Sequence, residues 1–89
     1  MIRIEDFAYR MEIRGGGDIW RYQGIVFGHP RIADGDICLP SVPSDYDETN
    51  RILKTASGNE YHIASFGDDE RKVVEQIRKD IKNHGFEIH

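Results

Sequence analysis

An imidazole, a guanidinium and two carboxylates fall within eight residues of this chain. They are His29, Arg31, Asp34 and Asp36, in the stretch Gly28-His29-Pro30-Arg31-Ile32-Ala33-Asp34-Gly35-Asp36. A histidine beside a carboxylate can act as a general base, and an arginine holds an anion through paired hydrogen bonds. Turn chemistry uses the same residue types, so this loop has a purely structural reading beside the catalytic one. With Cys38 and His62 the set has the side chains of a zinc site, yet no pair shows C-x-x-C or H-x-x-x-H spacing. No metal or cofactor is assigned. Cys38 stands between Ile37 and Leu39, the apolar setting of an inert thiol. Ser41, Ser44, Ser57 and Ser65 stand at turns, outside any G-x-S-x-G elbow.

A second constellation is aromatic and basic. Trp20, Tyr22 and Arg21, with Arg10 and Arg14 on the preceding segment, resemble a platform on which nucleic-acid bases stack. The competing reading places Trp20 and Tyr22 in the core or at a sheet-to-helix contact. A third candidate is Tyr46, flanked by Asp45, Asp47 and Glu48, which offers a protein contact on an acidic loop. Gly15-Gly16-Gly17 is no phosphate loop, because a strand pattern follows it and not a helix start.

The elements that must carry these residues follow from periodicity. Phe7, Tyr9, Met11 and Ile13 alternate with Ala8, Arg10 and Glu12, which is the period of a half-buried strand. Ile2 and Ile4 start the same pattern, and Glu5-Asp6 interrupts it. Gly15-Gly16-Gly17-Asp18 then turns the chain. The second strand, Ile19 to Phe27, is apolar on both faces, and Gly24 marks a bulge or a close backbone approach. Ile37-Cys38-Leu39 makes a short strand closed by Pro40, and residues 41–49 read as an exposed loop. Arg51 to Thr55 and Glu60 to Ser65 form a second hairpin around Ser57-Gly58-Asn59. The helix is expected last. Gly67-Asp68 offers the N-cap, Val73, Val74, Ile77 and Ile81 form one narrow apolar stripe, and Gly85 suits the stop. Phe86 and Ile88 would follow as a short tail or edge strand.

This order predicts one α+β domain over residues 1–89. Residues 1–65 would form a small antiparallel, strongly bent sheet or an SH3-like small barrel of about five strands. Residues 66–85 would be the C-terminal helix and 86–89 a tail. At 89 residues the core is thin, which favours a shallow surface site over a deep enzyme cavity. The net charge of −4 argues against non-specific nucleic-acid binding and suits a basic partner. A single cysteine allows no intrachain disulfide and fits a reducing compartment. No apolar run approaches a membrane span, and the first six residues lack a signal-peptide pattern, so a cytoplasmic location is expected.

Gly28-His29-Pro30…Asp34-Gly35, followed by Thr55-x-Ser57-Gly58-x-x-Tyr61, resembles small proteins of bacterial genomes and prophages. The resemblance implies a small-barrel fold and an accessory, phage-related role, and brings no catalytic residue with it. The function expected from all these signals is a non-enzymatic protein-interaction module. Its partner would be met through the loops at His29 and Tyr46, or through a sheet edge that also offers a homodimer contact. A nucleic-acid-binding barrel and a His-based or metal-dependent enzyme site are the alternatives.

Overall fold

The computed structural model describes residues 1–14 and 17–87. Six strands, β1 (Ile2–Arg14), β2 (Gly17–Phe27), β3 (Ile37–Cys38), β4 (Pro43–Asp47), β5 (Ile52–Thr55) and β6 (Glu60–Ile63), precede one helix, α1 (Glu70–Glu87). They form one sheet in the order β3-β2-β1-β6-β5-β4. No described helix is long and apolar enough to cross a membrane.

The sheet is mixed and open, not the antiparallel sheet or closed barrel of about five strands expected. β6 lies parallel to β1, with Ile2 opposite Tyr61 and Ile4 opposite Ile63, and β3 and β4 remain as edges. Both edges are short and bounded by proline, and proline gives no ladder donor, so neither invites closure. The sheet is nevertheless bent. Cys38 and Pro43 lie at opposite edges, and five extended steps span at most about 18 Å. Six flat strands would be roughly 24 Å wide.

The interruption at Glu5-Asp6 is a bulge within one continuous strand. The register of β1 on β2 shifts between Glu5 and Ala8, and Asp6 has a positive φ of 53°. Segment 64–67 closes on this bulge. Asp6 N donates to Ser65 Oγ at 3.0 Å, Phe7 N donates to Ser65 O, and Gly67 N donates to Phe7 O. A Cβ at Gly67 would stand 2.7 Å from Asp6 O, and one at Gly24 would stand 2.5 Å from Ile4 Cγ1. Both glycines are therefore close-approach positions, as the pattern predicted for Gly24.

Alternation assigns the faces. Ile4, Phe7, Tyr22, Val26, Leu53, Tyr61 and Ile63 point inward and are buried, and Val73 and Ile77 of α1 close over them. Each fully buried apolar side chain of this kind contributes roughly 1.5–3 kcal/mol. The outer face carries His62, Lys54, Glu60 and Arg3, the last lying 4.4 Å over the Phe27 ring. The alternation that hides β6 also makes it legible, for Tyr61 and Ile63 are buried and His62 is exposed.

Residues 41–49 are not the free loop expected. Pro43–Asp47 is edge strand β4, paired to β5 with Tyr46 opposite Leu53. Its proline and acids are what edge strands use against further pairing, and they conceal the strand in sequence. The helix begins one residue later than a cap at Asp68 implied. Asp69 Oδ1 accepts from Arg71 N at 3.0 Å, and Asp69 O accepts the first helical bond from Val73 N, which makes Asp69 the N-cap. The helix passes Gly85 and runs to Glu87. Gly15 and Gly16 of the expected turn, and Ile88 of the expected tail, lie outside the described residues.

Candidate functional site

The His29 loop is fastened to the sheet by its own polar groups. His29 Nδ1 accepts from Arg31 N at 3.0 Å, and Asp34 Oδ1 accepts from Gly28 N at 2.8 Å. Asp36 N donates to Ala33 O, and Asp36 O accepts from Val26 N. The imidazole tilts over the Tyr61 ring, with centroids 6.3 Å apart. His62, the next residue along β6, points to the opposite face. Cys38 is buried with Sγ 3.7 Å from the Tyr61 hydroxyl, and burial pushes its thiol above the ordinary range. Among the described residues, no three His, Cys, Asp or Glu side chains gather as a metal site would require. The stretch from Gly28 to Asp36 is thus the stitched connection between β2 and β3.

The aromatic and basic set is divided by the sheet. Tyr9 pairs with Tyr22 and Met11 with Trp20 on the inner face, while Arg10 pairs with Arg21 on the outer face. Arg10 donates from Nη2 to Gly67 O at 2.8 Å. Arg21 nevertheless borders the open volume beside Trp20 and Tyr22, so Arg10, held at Gly67, is the arginine missing from the single platform expected. Tyr46 is half-buried, packed under α1 against the core, and its phenol is raised by that burial. It is a packing residue more than an exposed contact.

What the fold does build is a cleft between the hairpin and α1. β6 pairs with β1 only over Ile2–Ile4, and β3 pairs with β2 only at Gly24 and Ile25. The hairpin beyond Tyr9 and Tyr22 therefore extends with no strand beside it. On its inner face, Tyr9 and Trp20 stack at 5.4 Å and 18°, and Tyr9 tilts against Tyr22 at 4.7 Å. The ring pair divides two open volumes of about 490 Å³ each. The first is bounded by Tyr22, Val42, Asp80 and Asn83, and the second by Val73 and Gln76.

The floor of the cleft is rigid. Tyr22 donates its hydroxyl to Asp80 Oδ2 at 2.5 Å, and Gln76 Nε2 donates to Asp80 Oδ1 at 3.0 Å. Burial, then this bond, raise the Tyr22 phenol far above the usual tyrosine range, so it remains a donor. On this inner face Trp20 is 56% and Met11 47% exposed, and on the outer face of the same hairpin Ile19 is 46% exposed. Exposed aromatic and aliphatic side chains are thus gathered on one projection.

Sequence reasoning named Trp20 and Tyr22 but missed Tyr9, Gln76 and Asp80 as site residues. The signal was there for the helix. Gln76 and Asp80 lie three and seven residues after Val73, positions that an apolar stripe normally fills with hydrophobic residues. A polar pair at those positions announces a wet seam between helix and sheet. Comparison of the chain with known protein families, curated proteins and solved structures found no match.

Proposed function

We propose that this chain is a non-enzymatic protein-interaction module that meets its partner through the free end of the β1–β2 hairpin and the cleft at its root. One observation carries the reading. The hairpin outruns every neighbouring strand and presents Met11, Ile19 and Trp20 where the fold itself covers none of them. An exposed apolar projection on a small domain is costly to solubility unless a partner covers it. The stitched His29 loop supports this reading over the enzymatic one, and the engagement of Arg10 with Gly67 supports it over the nucleic-acid one.

Photo-crosslinking in the native cell tests it. A photoreactive residue at Ile19 is expected to give a reproducible protein adduct, and the same residue at His62 is expected to give none. Equal labelling from both positions, or none from Ile19, overturns the proposal.

A further inference from the structure

We infer that the cleft is a receptor for one arginine side chain of the partner, with Asp80 taking the guanidinium and Trp20 its flat face. The inference rests on the protein-interaction reading and identifies the chemistry of the contact.

Asp80 is a half-buried carboxylate held in place by two neutral donors, Tyr22 and Gln76. Three exposed acids elsewhere on the molecule have cations: Glu48 meets Arg78, Glu70 meets Arg51 at 3.2 Å, and Glu60 meets Lys54 at 3.9 Å. Among the cations of residues 1–11 and 19–83, none lies within ion-pair distance of Asp80. Each carboxylate oxygen accepts about two hydrogen bonds. One position therefore remains on Oδ1 and one on Oδ2, the pair that a guanidinium fork satisfies. The rings beside it complete the site. A planar cation within about 6 Å of a tryptophan or tyrosine face is attracted by the ring quadrupole, and guanidinium stacks better than ammonium. Trp20 offers an exposed face there, and the adjoining volume of about 490 Å³ has room for the side chain.

The surrounding charge narrows the ligand. The net charge of −4 draws a cation in. Arg21 borders the volume that holds Asp80 and repels a second basic residue there, while Lys72 and Asp68 offset each other beside the other volume. The recognised segment thus carries one arginine between neutral neighbours.

Trp20 is the only tryptophan, so its fluorescence reports on this cleft alone. The titrant is acetyl-Gly-Gly-Arg-Gly-Gly-amide, with citrulline and lysine twins. The arginine peptide is expected to shift the emission saturably and to bind about tenfold more tightly than the citrulline twin, as loss of a charge-assisted bond requires. Asp80→Asn, which keeps an acceptor for Tyr22, should lose the same factor. Glu75→Gln, an equal charge change on the exposed side of α1, should lose none. The inference is overturned if the citrulline or lysine twin binds as tightly, if Asp80→Asn binds as tightly, or if Glu75→Gln weakens binding equally. Any of these results beside a positive Ile19 cross-link removes the arginine assignment and leaves the interaction module standing.

Discussion

Phe7 and Trp20 project from the same face of the same hairpin, yet Phe7 is fully buried and Trp20 is 56% exposed. Each stacks on a tyrosine: Phe7 on Tyr22 at 5.6 Å, Trp20 on Tyr9 at 5.4 Å. The difference is coverage. At Phe7 the segment 64–67 lies along β1, Phe66 meets the ring edge-on at 6.3 Å, and α1 closes above. Beyond Tyr9 and Tyr22 both flanking strands have ended. The root of the hairpin is core, and its far half is surface made of core-like residues. Length alone separates the two, because β1 and β2 continue past the point at which the sheet can shelter them.

The sharpest way to break this comparison is at the root. Phe7→Ala should cost about 3–5 kcal/mol, the usual range for a fully buried phenylalanine, which is a large share of what a domain this size has. Urea unfolding measures it, and a cost near 1 kcal/mol would mean that the root is not the core.

A smaller effect is expected where root and cleft meet. Tyr22→Phe should cost about 1–2 kcal/mol by removing one of the two donors to Asp80, and it should also change the alkaline behaviour. Tyr22 is raised by burial and by Asp80, and burial pushes Tyr61 up to about 12. The unfolded chain releases both protons near pH 10 and the folded chain retains them. The folded state then holds more protons, so stability is full below about pH 10 and falls as pH rises through about 12. Unfolding midpoints between pH 8 and 12 should fall less steeply for Tyr22→Phe than for the native chain. Parallel slopes would show that Tyr22 ionises freely.

The legibility of the fold in sequence follows the same divide. Strands with one face in the core announce themselves: Tyr61 and Ile63 against His62, Leu53 and Thr55 against Lys54. The helix stripe at Val73, Ile77 and Ile81 does so too. Pairing did not, since nothing local in Ile2–Ile4 says that its neighbour is a parallel strand some 60 residues away. β4 was hidden by Pro43, Asp45 and Asp47, residues that protect an edge and mimic a loop. The His29 loop drew attention by composition, yet turn geometry uses its imidazole nitrogen and the Asp34 carboxylate. The cleft arises where three elements meet, so only Trp20 and Tyr22 were visible beforehand, and as a nucleic-acid platform at that. Gln76 and Asp80 in the apolar stripe were the readable clue to the rest.

The smallest structural effect carries the central claim. Trp20→Ala removes a ring that the fold barely covers, so stability should fall by about 1 kcal/mol or less, the scale of one aromatic stack. The decisive measurement is retention of the partner cross-linked at Ile19, compared between Trp20→Ala and His29→Ala at matched folded fraction. The account predicts that Trp20→Ala loses the partner while His29→Ala keeps it. Retention by Trp20→Ala with loss by His29→Ala would contradict it and return the function to the loop.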